Sequence, residues 1–134
     1  MVMSWLWQLT KVVEIYTHRS ISAVKHHCYN VMQQTQAFTR NLLQWRKSCD
    51  AVKWGSFCHF ALRDGVYVYA RQYKGHVVTV MLNGTDAPVC VDLNHYAEVL
   101  PKNKARDVLT GRNIQLDKGC LQMGIREVLV LDFN

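Results

Sequence analysis

The spacing of apolar residues changes period once along the chain, and the first period is helical. Between residues 32 and 48, Phe38, Leu42 and Trp45 stand at positions i, i+4 and i+7, which places them on one helix face. Neither glycine nor proline interrupts this stretch, and two basic residues fall in its last turn, where they favour the helix dipole. The pattern predicts a helix over 32–48. A weaker pattern predicts another helix at about 4–16.

From Phe57 onward the period is two, as in strands. Residues 66–73 alternate so that the valines and an alanine face one way and three tyrosines face the other: Tyr67, Tyr69 and Tyr73. Lys74-Gly75 is a plausible two-residue hairpin turn, and it leads into an almost continuous apolar strand at 77–82. We therefore expect a hairpin at this point.

The remaining chain repeats short apolar alternations between turn residues. We expect strands at 89–93, 107–109, 113–116, 121–125 and 128–133. A short helical or irregular excursion is expected at 94–100. Seven or so short strands at about ten-residue spacing are typical of a sandwich or barrel. The predicted fold is mainly β with N-terminal helices: an antiparallel, Greek-key-like β-sandwich of about seven short strands preceded by one or two helices. Its regions are a leader at 1–31, a helix at 32–54 and the sandwich at 55–134.

Composition agrees with one packed domain and limits what it does. Hydrophobic residues make up 49% of the 134 residues and charged residues 19%, which excludes global disorder. The chain is too short for a (β/α)₈ barrel, which needs about 200 residues. The net charge of +6 lies mostly in residues 1–54, which carry +5 against +1 for the rest. The nearly neutral β part argues against a nucleic-acid partner, because phosphate contacts need clustered lysine and arginine.

The cysteines and the N-terminus bear on compartment. An odd count of five cysteines without a CxxC pair disfavours a disulfide framework and favours a reducing compartment. Cys90 and Cys120 are expected to be buried strand cysteines. The start has no basic n-region and no cleavage site, so we predict no signal peptide, and no apolar run has the length of a membrane span. Cytoplasmic location is the default expectation, without a membrane partner.

Candidate chemistry is sparse. The acidic residues fall in turns or on strand faces, so no catalytic residue is predicted. His26-His27-Cys28 and Cys58-His59 offer one metal ligand each at most, because adjacent side chains point in different directions. No glycine-rich phosphate loop occurs. We therefore predict no metal and no cofactor. Tyr67, Tyr69 and Tyr73 are candidates for stacking on carbohydrate, although a hydrophobic core or an inter-domain face is the favoured interpretation of the aromatic residues.

Several segments resemble one enzyme family. Gln36–Lys47 resembles the last helix of the catalytic barrel in the α-amylase superfamily of glycoside hydrolases, and neopullulanase, cyclomaltodextrinase and α-glucosidase-like enzymes are its nearest members. Four later segments resemble parts of that family's C-terminal β-sandwich, in the same order: Gly55–Ala61, Asp64–Arg71, Val78–Asn83 and the pair formed by Asp107–Gly111 with Arg126–Asp132. The resemblance runs from about Gln34 to the C-terminus, and residues 1–31 lie outside it.

The resemblance implies a non-catalytic role. The family's catalytic Asp, Glu and second Asp lie on barrel strands, and no position of this sequence matches them. The implied function is an accessory domain, or fragment, of an α-glucan-degrading hydrolase that stabilises or docks on a catalytic barrel. The alternatives are a stand-alone starch- or maltooligosaccharide-binding module and a small basic nucleic-acid-binding domain. The helix stripe of Phe38, Leu42 and Trp45 must pack on the sandwich, the leader or a second copy, so we expect either self-association or a leader helix that covers the stripe.

Overall fold

The computed structural model describes residues 21–134 apart from Lys118. It divides into two compact units with their boundary between Asn41 and Leu42, inside the first described helix, α1 (Ile21–Ser48). This helix contains the whole of the predicted helix at 32–48, which is confirmed, and it begins earlier than expected. Residues 21–31 lack a clear apolar period, so periodicity gave no signal for that part. The helix predicted at 4–16 lies outside the described residues.

Cys49 separates α1 from a short second helix, α2 (Asp50–Trp54). Its backbone is extended, with φ −86° and ψ 106°, and its N–H still donates to the carbonyl of Trp45 at 2.9 Å. Gly55 ends α2 by donating its N–H to the carbonyl of Ala51 at 3.0 Å. A Cβ at Gly55 would collide with that same carbonyl oxygen and lie 3.0 Å from the backbone nitrogen of Gln72. Only glycine lets the chain pass from helix to sheet here.

Eight strands follow, and all their pairings are antiparallel. Six form one sheet in the order β1-β2-β3-β8-β5-β6, and two form a second sheet, β4-β7. The predicted short helical excursion is confirmed as a 3₁₀ segment, Leu93–Val99. The strand bounds are β1 (Ser56–His59), β2 (Val66–Tyr73), β3 (His76–Asn83), β4 (Val89–Asp92), β5 (Lys104–Asp107), β6 (Asn113–Gln115), β7 (Cys120–Met123) and β8 (Val128–Asp132). The predicted β-sandwich preceded by helices is confirmed.

The β2–β3 hairpin has the predicted turn. Tyr73 pairs with His76, so Lys74 and Gly75 alone form the connection. Both have positive φ, 49° and 84°, which suits a two-residue turn whose twist matches the strands.

The main core lies between the two sheets. Its fully buried side chains come from four strands, and they are Val68, Met81, Met123 and Leu131. A second apolar cluster lies on the opposite face of the large sheet, which we call the outer face: Val78, Val80 and Val130 pack there with Cys49 and Ala51. The central strand β3 is thus buried on both faces, which explains its almost continuous apolar sequence.

Three expectations are wrong in detail. Of the strand expected at 107–109, only Asp107 lies in a strand, as the last residue of β5, and a turn follows it, because the Asp107 carboxylate accepts hydrogen bonds from the N–H groups of Leu109 and Thr110. Ile125 lies outside β7 and is exposed. Cys90 and Cys120 are exposed and joined by a disulfide, with their Cα atoms 5.6 Å apart. The number of cysteines and their local spacing could not predict this bond, because β4 and β7 are distant in the sequence and become neighbours only in the folded sheet.

Among the described residues, no helix has both the length and the apolar character that a membrane span requires.

Candidate functional site

The outer face carries a group of four aromatic side chains on β1 and β2, which we call the aromatic patch: Phe57, His59, Tyr67 and Tyr69. The antiparallel register places His59 opposite Tyr69 and Phe57 opposite Arg71. Ring centroids are 5.6 Å apart for Phe57 and Tyr69, 5.8 Å for Tyr67 and Tyr69, and 6.3 Å for His59 and Tyr67. The four rings therefore form one continuous surface.

The rings of the aromatic patch are not all coplanar. Phe57 and His59 stack with an interplanar angle of 19° and a centroid separation of 5.7 Å. Tyr69 is tilted by 41° to Phe57 and by 39° to Tyr67. Phe57 is 55% exposed, whereas both tyrosines are half-buried. The surface is stepped, with one flat pair at the sheet edge.

The structure brings together two of the three predicted tyrosines. Tyr67 and Tyr69 belong to the aromatic patch. Tyr73 shares their strand face without joining the patch, and both Tyr69 and Tyr73 pack against the second apolar cluster. The Lys74 ammonium lies 5.2 Å from the centroid of the Tyr73 ring. The role of these tyrosines in carbohydrate stacking remains a prediction.

Sequence reasoning missed how Phe57 and His59 join the site. Both stand on one face of a four-residue edge strand, and the signal was their i, i+2 spacing before a second aromatic alternation. Three other aromatics of the β part lie in the main core or against it: Phe60, Tyr96 and Phe133. For those three, the interpretation as core is confirmed.

The other half of the outer face is covered by the end of α1 and by α2. Ala51 is fully buried against the sheet, and the half-buried indole of Trp45 donates its Nε1–H to Asp132 Oδ2 at 3.1 Å. Of the three surfaces expected for the stripe of Phe38, Leu42 and Trp45, the sandwich takes Trp45, and Leu42 is half-buried. Phe38 is 48% exposed.

A polar group lies at the edge of that covered region. The second oxygen of Asp132, Oδ1, is 2.6 Å from Nε2 of His76. One ligand atom each of Cys49, His76 and Asp132 lie within 4.8 Å of one another, and we call these residues the Cys–His–Asp cluster. Sequence spacing gave no sign of it, because its members belong to a helix cap and two strands that are distant along the chain.

The carboxylates with the clearest contacts have conformational roles. Asp92 Oδ1 accepts a hydrogen bond from the N–H of Asn94 at 3.0 Å and caps the 3₁₀ segment. Asp64 lies in a turn with φ 51° and lines a shallow pocket beside Asp92 and Tyr96. Burial raises the pKa of the Tyr96 phenol; the charge of Arg63 opposes this shift, and the carboxylates of Asp64 and Asp92 add to it. An acid or base poised for catalysis is not indicated by these contacts.

Residues 57–132 match the Cyclo-malto-dextrinase C-terminal domain family, and this chain belongs to that family. The match places the β-sandwich in the class of C-terminal domains of the α-amylase superfamily of glycoside hydrolases.

Solved structures show the same fold. The chain is similar to an Anoxybacillus α-amylase, with a TM-score of 0.54 and 19% identity over 72% of this chain and 22% of that one. It is similar to an α-amylase from Geobacillus thermoleovorans complexed with acarbose, with a TM-score of 0.50 and 24% identity over 66% of this chain and 20% of that one. The α-glucosyl transfer enzyme XgtA gives a TM-score of 0.51 and 22% identity over 76% of this chain and 19% of that one.

The shared fold includes residues that precede the β-sandwich. The chain spans about a fifth of the length of each solved structure. Residues from 57 onward make up less than three fifths of the 134, so a match over 76% includes residues before Phe57. Part of the helical region therefore belongs to the shared fold.

Proposed function

We propose that this chain acts as a non-catalytic accessory domain that docks on the catalytic barrel of an α-glucan-degrading hydrolase through its outer face. The observation that carries the proposal is the distribution of exposed apolar side chains. The inner face of the large sheet is closed by the second sheet, whereas the outer face carries the aromatic patch and ends beside Trp54, which is 70% exposed.

The chemistry of the outer face suits a protein partner. Aromatic residues are enriched in protein interfaces, and a contiguous exposed apolar surface marks an interaction site. Phe57 on the outer face and Trp54 at the end of α2 are more than half exposed. A barrel packed here would remove these side chains from water.

The docking test uses the full chain and a separately expressed partner. The partner is the Anoxybacillus α-amylase truncated before its own C-terminal domain, and the measurement is its half-life during thermal inactivation. We expect the chain to prolong that half-life, Phe57→Ser to abolish the effect, and Ile125→Ser to retain it. Ile125 is the matched control because it is 60% exposed but lies in the turn before β8. Equal loss in both variants, or no protection at all, contradicts docking through the outer face.

A second test addresses catalysis directly. The purified chain is incubated with maltooligosaccharides and cyclodextrins, and reducing ends are counted. No turnover is expected, since no position matches the catalytic residues of the resembling family. Turnover that survives repurification would overturn the non-catalytic role.

A second candidate function is favoured by the stacked pair of Phe57 and His59 beside two tyrosines. Such a surface is suited to a maltooligosaccharide, because sugar C–H faces pack on aromatic rings. Calorimetry with maltoheptaose decides: saturable binding that Tyr69→Ala removes and Tyr73→Ala preserves would support a carbohydrate-binding module. The docking proposal expects no saturable heat.

A further inference from the structure

We propose that the Cys–His–Asp cluster, formed by Cys49, His76 and Asp132, is a binding site for a divalent transition metal that prefers nitrogen and sulfur ligands, with Zn²⁺ as the representative ion. The proposal goes beyond the docking role and does not depend on it. Thiolate, imidazole and carboxylate are the three ligand types that zinc takes in proteins.

The separations suit such an ion. Zinc bonds of about 2.0–2.3 Å place tetrahedral ligand atoms roughly 3.3–3.7 Å from one another. The three ligand atoms already lie within 4.8 Å of one another, so small side-chain rotations bring them to that spacing. They come from three separate elements: Cys49 precedes α2, His76 begins β3, and Asp132 ends β8.

The carboxylate is already oriented as a ligand. Trp45 Nε1–H donates to Oδ2 of Asp132 at 3.1 Å, which leaves Oδ1 directed at His76. Hydrogen bonds of this kind to ligand groups fix their direction and raise metal affinity. Without a metal, the N–H at His76 Nε2 donates to Oδ1 at 2.6 Å. A metal ion takes the place of that proton, and the separation opens to the ligand spacing.

The protons balance simply. Binding releases the thiol proton of Cys49 to solvent, because the metal is bound by the thiolate. The proton on His76 Nε2 moves to Nδ1, or from an imidazolium to solvent. The resulting site has two anionic ligands and one neutral ligand. His76 and Asp132 keep side-chain exposures of 23% and 15%, which leaves one side open for a water ligand.

Burial argues against thiol catalysis by the same three residues. Cys49 is only 5% exposed, so a substrate atom has no approach to its sulfur, whereas reactive cysteines are at least partly accessible. A metal ion is small enough to reach the site from the side of His76. The plain alternative is a His76–Asp132 ion pair beside a buried cysteine, and the experiment below distinguishes the two.

The test uses Co²⁺ as the probe, because a cobalt–thiolate bond gives an ultraviolet charge-transfer band. The background is the full chain carrying Cys28→Ser and Cys58→Ser, since those are the other free cysteines of the described residues. We expect one Co²⁺ per chain with a charge-transfer band, displaced by Zn²⁺, and loss of the band in Cys49→Ser. Replacing His76 by Gln is expected to weaken binding at least about tenfold, as loss of a metal-site group does.

The matched control is His59→Gln, which removes an exposed imidazole from the aromatic patch and leaves the cluster intact. We expect its cobalt affinity to be unchanged. A thermal shift adds an independent readout: Zn²⁺ at 100 times its Kd raises stability by about 2.7 kcal/mol through mass action. If Cys49→Ser does not fold, His76→Gln and the thermal shift decide. No charge-transfer band, or a band of equal strength and affinity in His76→Gln, overturns the proposal.

Discussion

The side chain of Asp107 holds three backbone N–H groups from a turn and a neighbouring strand. It is fully buried, and its two oxygens accept hydrogen bonds from the N–H groups of Leu109 (3.3 Å), Thr110 (3.2 Å) and Val130 (3.2 Å) and from the Thr110 hydroxyl. A buried carboxylate without a counter-ion is stable only when donors surround it. The side chain therefore shapes the β5–β6 turn and fastens it to β8.

Removing that carboxylate should unfold the chain at lower denaturant concentration. Asp107→Ala leaves several buried donors without an acceptor, so we expect a loss of about 3 kcal/mol in the free energy of unfolding. Urea denaturation followed by circular dichroism measures it. The control Asp117→Ala alters an exposed carboxylate and should change stability by less than about 0.5 kcal/mol. Equal effects of the two variants would refute the structural role of Asp107.

Asp86 and Arg126 give a pH-dependent contact. Arg126 Nε–H donates to Asp86 Oδ1 at 2.7 Å, and this hydrogen bond, followed by the charge of Arg126, lowers the pKa of the Asp86 carboxyl below 3.8. A lowered folded-state pKa means that the stabilising contribution is present above pH 3.8 and is lost as pH falls through the folded-state value. Carboxyl titration by NMR should therefore show Asp86 below 3.8 at low salt. Arg126→Gln should return it to the ordinary value, and high salt should weaken the shift, since both side chains are exposed.

At the scale of elements, the transition from α2 to β1 is the tightest step. Gly55→Ala forces its new methyl group against the Ala51 carbonyl and the backbone of β2. We expect a loss of about 1–3 kcal/mol, the range typical of overpacking. Thermal denaturation compares the stability of Gly55→Ala with that of the control Gly124→Ala. A Cβ at Gly124 would have as its nearest contact a flexible glutamate oxygen at 3.4 Å, so we expect a smaller loss there. A larger effect at Gly124 contradicts the close-approach argument.

The disulfide ties the two-stranded sheet together. Cys90 and Cys120 flank the paired residues Val91 and Leu121 and enclose a separation of 30 residues. We expect reduction to cost about 3–4 kcal/mol, the magnitude typical of a loop this long. In unfolded, unreduced chain a thiol reagent should count three free cysteines, namely Cys28, Cys49 and Cys58, and five after reduction. Five before reduction would show that the bond does not form.

The elements also show what the sequence reveals about fold and site. Strand β2 matches its predicted bounds, because alternation and the Lys74-Gly75 turn are local signals that tertiary contacts reinforce. The boundary of β5 was missed because a side-chain carboxylate, not a strand partner, organises Asp107 onward. The aromatic patch was half predictable, since Tyr67 and Tyr69 share a strand. The Cys–His–Asp cluster was not predictable, since only the folded chain brings its three elements together.

At the scale of the whole molecule, helix α1 carries exposed apolar side chains that a second copy of the chain could cover. Exposed apolar side chains on it include Tyr29, Met32, Phe38 and Leu43. Following the expectation of self-association, sedimentation equilibrium should show a dimer that Phe38→Ser weakens. Cys58→Ser belongs in both samples, because an exposed thiol on an edge strand can form intermolecular disulfides. A monomer at all concentrations, together with NMR relaxation that shows residues 1–31 to be mobile, would contradict the expectation that a second copy or the leader covers this face.

Strand β3 links binding at the outer face to the packing of the main core. Its side chains alternate between the main core and the cluster beneath Cys49 and Ala51, so one backbone serves as the wall of both. Because both clusters are closely packed, a displacement of β3 that changes the packing of one cluster also changes the packing of the other. An occupant of the outer face, whether a protein surface or a metal ion at His76, therefore acts on the same strand that holds the hydrophobic interior in place.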